Sequence, residues 1–184
     1  MSIVAIKASP RKNGNSNTIV DAMVKGAEEN GKKVKVYDLN SLSHVKGCQA
    51  CMACKKSGGK CAVKDDQSEI LEEIRKADGV ILSTPIYFGE ANAQFRLLQD
   101  RFYSFLNGDF SANIAPGKKL AIVVSCGGGA DGANATAAKI EGAAVGMLKF
   151  APVGKIVFTG GNAPDAASGN KAILDEAKAI GKKL

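Results

Sequence analysis

The sequence predicts an α/β fold in which helices cover both faces of a parallel sheet. Short apolar runs typical of buried strands recur along the chain, most clearly at 3–7 and 80–82. Segments with a helical period of apolar residues separate these runs. With 184 residues the chain is long enough to bury one core, so we expect a single domain over residues 1–184.

Each strand is expected where a short apolar run is bounded by loop residues. The five runs lie at 3–7, 33–37, 79–83, 120–125 and 153–159. Strands that alternate with helices pair in parallel through right-handed crossovers. The common order for five such strands is 2-1-3-4-5, which places a ligand crevice at the carboxyl ends of strands 1 and 3.

The helices are expected where apolar residues recur three or four positions apart. Asp66 and Glu69 resemble a capping box at the start of one helix, and Gly31 follows the end of another. In a third helix, the inner face is expected to hold Phe95, Leu98, Phe102 and Phe105. The five predicted helices cover 17–30, 66–77, 90–106, 132–148 and 167–182.

A polar loop, SPRKNGNSNT at 9–18, connects the first strand to the first helix. Backbone N–H groups and the dipole at a helix N-terminus favour an anion, and hydroxyls, amides and two cations precede this one. The loop matches neither G-x-G-x-x-G nor the Walker pattern, so it favours the phosphate of a mononucleotide. An ordinary capped turn is the alternative. The candidate phosphate contacts are Ser9, Arg11, Asn15, Ser16, Asn17 and Thr18.

Two further loops follow the third and fourth strands at the same edge of the predicted sheet. In the first, TPIYFG at 84–89, we expect backbone contacts to a planar ring and one aromatic side chain in the core. In the second, SCGGG at 125–129, backbone groups can bond a polar ring edge. The candidate ring contacts are Pro85, Ile86, Tyr87, Phe88, Gly89, Cys126 and Gly127.

Four cysteines form the pattern C-x2-C-x2-C-x6-C within a segment at about 44–66, after the second strand. The spacing of Cys48, Cys51, Cys54 and Cys61 suits a [4Fe–4S] cluster. Structural zinc, which more often uses two separated C-x2-C pairs, and free thiols are the alternatives. Nearby lysines at 46, 55, 56, 60 and 64 are expected to offset the charge of a thiolate-bound cluster. Cys126 stands apart and is expected to be a crevice thiol.

These motifs resemble known families. The loops at 9–18 and 84–89 look like the FMN phosphate and isoalloxazine loops of the NADPH-dependent FMN reductase and flavodoxin-like superfamily. The cysteine pattern resembles that of the archaeal and anaerobic-bacterial iron–sulfur flavoproteins. The resemblance covers nearly the whole chain. It implies FMN, a [4Fe–4S] cluster, and an oligomer, a homodimer or homotetramer, in which cluster and flavin of neighbouring subunits approach each other.

The function that follows is FMN- and cluster-dependent electron transfer to a small acceptor such as a quinone or an oxygen species. NAD(P)H is a candidate substrate, and an acidic carrier such as ferredoxin is a candidate partner because the net charge is +7. The alternatives are a cluster-free NAD(P)H-dependent FMN or quinone reductase, a non-catalytic electron carrier, and a zinc-stabilised flavin-binding module. We assign no acid–base residue, since the single histidine, His44, has no catalytic partner.

Several classes are excluded by composition. Lysine and arginine are dispersed and aromatics make up only 5%, which argues against nucleic-acid binding. No apolar stretch approaches the roughly 20 residues of a membrane span. The first residues read as a strand, not as a signal peptide, and the odd number of cysteines, 5, does not suit a disulfide framework. We therefore expect a cytoplasmic protein.

Overall fold

Six strands and six helices make up the structure, a computed structural model that describes all 184 residues. The strands are β1 (Ser2–Lys7), β2 (Lys33–Asp38), β3 (Gly79–Tyr87), β4 (Glu90–Ala91), β5 (Lys119–Ser125) and β6 (Ala151–Phe158). The helices are α1 (Asn15–Glu29), α2 (Ala53–Lys56), α3 (Gln67–Lys76), α4 (Ala93–Arg101), α5 (Ala130–Gly146) and α6 (Lys171–Gly181). Short 3₁₀ turns lie at Leu39–Ser41 and Phe102–Phe105.

The predicted flavodoxin-like sheet is confirmed. Its order is β2-β1-β3-β5-β6, all parallel, which is 2-1-3-4-5 in the numbering of the five predicted strands. The sixth strand, β4, pairs only with the end of β3 and is antiparallel to it. The order reverses between β1 and β3, so the crevice expected at a switch point lies beside their carboxyl ends.

Apolar layers cover both faces of the sheet. Val4 and Ile6 of β1 belong to the layer formed with α3, α4 and α5, whereas Ile3 and Ala5 belong to the layer formed with α1 and α6. Because the central strands are buried on both faces, they appear in the sequence as continuous apolar runs. None of the helices has the length and hydropathy that crossing a bilayer requires.

The helix predicted at 90–106 is wrong at both ends. Residues 90–91 form β4, and α4 begins at Ala93 because the Asn92 side chain accepts a hydrogen bond from the N–H of Phe95. After Arg101 the chain tightens into the 3₁₀ turn. Three of the four predicted inner-face residues, Phe95, Leu98 and Phe105, are fully buried. Phe102 is only half-buried, because it lies in the 3₁₀ turn and not in the helix.

The other four predicted helix starts differ by one to four residues. The last helix begins at Lys171, four residues after the predicted start, where the side chain of Asn170 caps it through the N–H of Ile173. The capping box at Asp66 is not formed, because its carboxylate accepts hydrogen bonds from the segment that precedes the cysteines. A long-range contact has therefore replaced the local one.

Candidate functional site

Loops from four parallel strands meet in one crevice at the carboxyl edge of the sheet. One cavity of about 60 Å³ lies among the loops after β1, β5 and β6 and the end of β3 at 85–87, which was predicted as a loop but continues the strand through its pairing with β5 and β4. A larger one, of about 410 Å³, lies between the end of β3 and the start of α5. The two cavities share Ile86, Cys126 and Gly127 and so form a continuous crevice. The predicted residues that line it are Ser9, Arg11, Asn15, Pro85, Ile86, Tyr87, Phe88, Gly89, Cys126 and Gly127.

The phosphate end of the crevice is the first turn of α1. Gly14 precedes this turn, and no side chain caps its N–H groups, which lack intrahelical acceptors. The hydroxyl of Ser16 and the amide oxygen of Asn17 are buried without a hydrogen-bond partner. A Cβ at Gly14 would stand 2.7 Å from the Ser9 hydroxyl, so a side chain there would fill the cradle. Open space, unpaired N–H groups and an unpaired hydroxyl fit a phosphate group.

The side chain of Asn15, which also lines the crevice, is engaged within the protein. Its amide donates to the carbonyls of Gly161 and Ala163 at 3.0 and 2.9 Å, and its oxygen accepts from the N–H of Ala167 at 2.8 Å. The side chain therefore ties the loop after β6 to the crevice, and only its backbone N–H is free for a ligand. Gly161 itself lines the crevice, a contribution that we did not predict.

The side chains of Asn17 and Thr18 bond the backbone of the phosphate loop. The Asn17 amide donates to the carbonyls of Arg11 and Lys12 at 3.2 and 3.4 Å, and the Thr18 hydroxyl lies 3.5 Å from the Asn13 carbonyl. These bonds hold the loop by its carbonyl groups. Three of the predicted contact residues line neither cavity: Ser16, Asn17 and Thr18.

The ring end of the crevice is a tight hairpin. Tyr87 pairs with Glu90, and the two turn residues between them, Phe88 and Gly89, have φ of 50° and 80°. Two-residue hairpins favour such left-handed turns because their twist matches that of the strands. The expectation that one aromatic would be buried is wrong: Tyr87 is 45% exposed and Phe88 109% exposed. The pairing with β4 projects the turn away from the core.

Helix α5 holds the base of this hairpin. The Thr136 hydroxyl lies 3.4 Å from the Gly89 carbonyl, and Lys139 donates to Glu90 at 2.6 Å. The hydrogen bond from Lys139 keeps the pKa of Glu90 below its ordinary value. The hairpin base is thus fixed, while the Phe88 ring at its tip stays free to contact a ligand.

Replacing Phe88 with asparagine tests this arrangement. A bulky residue at positive φ costs about 1–2 kcal/mol, and asparagine tolerates that conformation better. We therefore expect the free energy of unfolding in urea to rise by about 1 kcal/mol. We expect kcat/KM for a planar aromatic acceptor to fall about 3- to 10-fold, since an aromatic contact contributes about 0.5–1.5 kcal/mol.

Phe110 provides a matched control for Phe88. It also has positive φ, 64°, and is 59% exposed, but it packs near Tyr103 outside the crevice. Phe110→Asn should change stability in the same direction and leave turnover unchanged. Equal losses of turnover in both variants would rule out a specific contact by Phe88.

Asn92 is a buried residue beneath the crevice that lines neither cavity and that was not predicted. It is 2% exposed, and its amide donates to the carbonyl of Ala8 at 2.6 Å. Its backbone N–H donates to the hydroxyl of Thr84 at 3.1 Å. The side chain thus joins the loop after β1 to the end of β3, the two sides of the crevice. An asparagine before a helix start was the available signal.

Cys126 lies in the crevice, as predicted, and not with the other cysteines. Its backbone N–H donates to Phe158, and its carbonyl accepts from Gly161 at 3.1 Å. Its half-buried sulfur lies 3.4 Å from the carbonyl of Gly128. The loop after β5 is therefore braced against the loop after β6 on the floor of the crevice.

The other four cysteines line one small cavity beside the end of α4. Cys54 is buried on the short helix α2, Cys61 is half-buried, and Cys48 and Cys51 are exposed. Arg101, Tyr103 and Ser104 complete the cavity wall. None of the cysteines is in a disulfide. The fold thus brings the predicted ligand set to a single place.

The aspartates at the end of the cysteine segment fasten it to α3. Asp66 accepts the N–H groups of Ser43 and His44 at 2.8 and 2.9 Å, and these bonds, His44 first, lower its pKa. The neighbouring Asp65 accepts the N–H of Lys46 at 2.9 Å. Both ends of the segment are therefore held, and the part between them is a closed loop.

The backbone is strained in the part of the cysteine segment that carries Cys48 and Cys51. Ala50 and Met52 both have positive φ, 50° and 59°, where residues other than glycine cost about 1–2 kcal/mol. No group of three or more His, Cys, Asp or Glu side chains is arranged so that it could hold a metal ion. Thiolates repel one another until a cation joins them, and metal sites often form only as the metal binds.

One of the lysines around the segment, Lys55, also has a structural role that was not predicted. The ammonium of Lys55 donates to the carbonyls of Tyr103 and Leu106 at 2.6 Å each and lies 3.6 Å from the centre of the Tyr103 ring. It therefore provides a hydrogen-bond donor for the carbonyl groups at the end of the 3₁₀ turn. The other four lysines, 46, 56, 60 and 64, are exposed and free to offset charge.

Gly59 is a position where the cysteine segment requires glycine. Its φ is 87°, and a Cβ would stand 2.7 Å from Arg75 Nη2 and 2.8 Å from the carbonyl oxygen of Ser104. Gly59→Ala should lower the free energy of unfolding in urea by about 2–4 kcal/mol through backbone strain and overpacking. Gly58, with φ of 63° and open space around it, is the matched control. Gly58→Ala should cost only about 1–2 kcal/mol; equal losses would contradict the packing argument.

Comparisons with known proteins agree with this geometry. Residues 1–165 match the family described as NADPH-dependent FMN reductase. An iron-sulfur flavoprotein of Methanocaldococcus jannaschii is 29% identical over 100% of this chain and 95% of its own length. One of Archaeoglobus fulgidus is 31% identical over 72% of this chain and 78% of its own length.

A solved structure supports the fold. The NAD(P)H:quinone oxidoreductase from Methanothermobacter marburgensis aligns with a TM-score of 0.67 at 19% identity, over 100% of this chain and 96% of that one. The fold of this chain is thus shared with that structure. The chain belongs to the NADPH-dependent FMN reductase family and, within it, to the iron–sulfur flavoproteins, and is a flavin-dependent oxidoreductase.

Proposed function

We propose that this oxidoreductase binds FMN in the crevice and a [4Fe–4S] cluster on Cys48, Cys51, Cys54 and Cys61, and passes electrons between a donor and a small acceptor. The observation that carries the proposal is that all four cysteines line one cavity on the chain that also holds the crevice. When bound, FMN supplies one- and two-electron chemistry and the cluster supplies one-electron chemistry.

Different residues of the crevice would contact the phosphate and the ring system of FMN. The N–H groups of the first turn of α1 and the Ser16 hydroxyl would bind the phosphate, with Arg11 adding positive charge at the exposed side. The backbone at 85–89 and 125–127 would contact the ring system. Asn15 and Asn92 would position these loops without touching the ring.

The acceptor would enter through the open side of the crevice. The larger cavity, about 410 Å³, opens beside the exposed Phe88 ring, which suits a flat molecule such as a quinone. An oxygen species is small enough to use the same opening. NAD(P)H is the proposed small-molecule donor, in keeping with the family.

The partners stay predictions from sequence and charge. An acidic electron carrier such as ferredoxin suits the net charge of +7. A homodimer or homotetramer would bring cluster and flavin of neighbouring subunits together, as the family resemblance implies. A cytoplasmic location is predicted because the odd number and the close spacing of the cysteines do not suit a disulfide framework.

An anaerobic ultraviolet–visible spectrum of fresh protein, with iron and acid-labile sulfide assays, tests the proposal. We expect flavin bands over a broad absorbance and about four irons per chain. Flavin without iron, even after anaerobic reconstitution, would favour a cluster-free reductase, and zinc in place of iron would favour a structural site. Steady-state oxidation of NAD(P)H with a quinone separates an enzyme from a plain electron carrier.

A further inference from the structure

Arg101, at the end of α4, is the most buried charged side chain beside the cysteines. Its side chain is 0% exposed and pairs with Asp65, with Nη1 2.9 Å from Oδ2. The same nitrogen donates to the carbonyl of Lys46 at 3.0 Å, and Nη2 donates to the carbonyl of Val63 at 3.1 Å. These carbonyls lie just before Cys48 and just after Cys61, so one guanidinium clamps both ends of the cysteine segment.

The fourth contact of Arg101 is to a cysteine. Its Nε lies 3.1 Å from the sulfur of Cys61, within hydrogen-bond distance. An N–H bond to sulfur is strongest when the sulfur is anionic, as a thiolate ligand is. Of the four arginines, at 11, 75, 96 and 101, only Arg101 lines the cysteine cavity.

Stability alone does not account for this arginine. Burying an ion pair carries a desolvation cost that often exceeds its Coulomb attraction, and apolar replacements are frequently neutral or stabilising. Arg101 and Asp65 are 0% and 4% exposed at their side chains and could be replaced by a packed apolar pair. The arrangement is explained if the guanidinium acts on the cysteine sulfurs through its hydrogen bond to Cys61.

We propose that Arg101 is a positioning residue for the cluster: it closes the cysteine segment and donates a hydrogen bond to the Cys61 ligand sulfur, which raises the cluster's reduction potential. A hydrogen bond to sulfur favours the more negative, reduced state, because the added electron increases the charge on the ligands. This inference rests on the proposed function, since it requires the cluster.

Arg101→Lys is the informative substitution, with Arg75→Lys as its control. Lysine keeps the positive charge beside Asp65. It has a methylene group, Cε, at the position where arginine has the Nε–H that bonds Cys61. Arg75 is a second partly buried arginine near the segment, and it donates only to carbonyls, including those of Gly59 and Asn113. Both substitutions remove a guanidinium, but only one removes a bond to sulfur.

The readouts are iron content and the midpoint potential of the cluster from an anaerobic redox titration followed by electron paramagnetic resonance. We expect Arg101→Lys to shift the potential to a more negative value, with the reduced-to-oxidised ratio at fixed potential falling about tenfold, which is about 59 mV for one electron. Arg75→Lys should leave the potential unchanged. An iron-replete Arg101→Lys with the wild-type potential would overturn the inference.

A measurement on the wild-type protein covers the case in which Arg101→Lys does not fold or take up iron. Protein grown with ¹⁵N-arginine, reduced and studied by pulsed electron paramagnetic resonance, should show a ¹⁵N coupling to the cluster. Its absence would overturn the hydrogen bond. If the wild-type protein takes up no iron on reconstitution, the proposed function fails and this inference with it; if iron is present without the coupling, only this inference fails.

Discussion

Cys54→Ala is expected to abolish the iron–sulfur cluster while FMN binding is retained. Cys54 is the buried member of the four cysteines and lies on α2, in the wall of the shared cavity. A four-thiolate site that loses one ligand should not assemble stably. Iron should therefore fall from about four atoms per chain to a small residue after anaerobic reconstitution. The flavin absorbance should persist, because the crevice is built from other loops.

Cys126→Ala is the matched control for this loss. Cys126 is the fifth cysteine and lies in the crevice, away from the cysteine cavity. Its replacement should leave iron unchanged and alter only the environment of the flavin. If Cys54→Ala keeps its full iron content, the ligand assignment is wrong. If both variants lose iron alike, the loss reflects general instability and not a missing ligand.

Ser16→Ala is expected to weaken FMN binding by roughly 10- to 100-fold. The Ser16 hydroxyl is buried in the first turn of α1 and has no hydrogen-bond partner in the protein. A hydrogen bond to a charged group contributes about 1.5–3 kcal/mol, which corresponds to this change in Kd. The measurement is fluorescence quenching of FMN titrated with the apoprotein.

Riboflavin is the matched control ligand, because it has the same ring system and no phosphate. Ser16→Ala should leave the Kd for riboflavin within experimental error of the wild-type value. In the wild-type protein, FMN should bind more tightly than riboflavin. A variant that weakens both ligands equally would place Ser16 in the structural support of the loop, and unchanged binding of both would remove it from the phosphate site.

Much of the fold was predictable because its signals are local. Continuous apolar runs predict the central strands, since β1, β3 and β5 are buried on both faces. Polar loops after these strands predict a crevice, since parallel strands present their carboxyl ends at one edge. The hairpin was missed because Tyr87, Phe88 and the two residues of β4 carry no alternating pattern of their own.

The candidate site was predicted less completely than the fold. Cysteine spacing is a local property, and it indicated the ligand set without the structure. Asn15 illustrates the opposite case: its position in a polar loop favoured a ligand contact, yet its side chain is occupied by Gly161, Ala163 and Ala167, more than 140 positions away in the chain.

The sequence by itself determined the α/β class, the polar loop before α1 and the four-cysteine pattern, because periodicity and spacing are properties of neighbouring residues. The sheet order was predicted only as the common one for five such strands. Only the tertiary structure decided how these parts are held. Arg101 reaches Cys61 across 40 positions, and Asn92 reaches Ala8 across 84. Such partners are chosen by the packing of α4 against the sheet, and no local pattern in the chain encodes them.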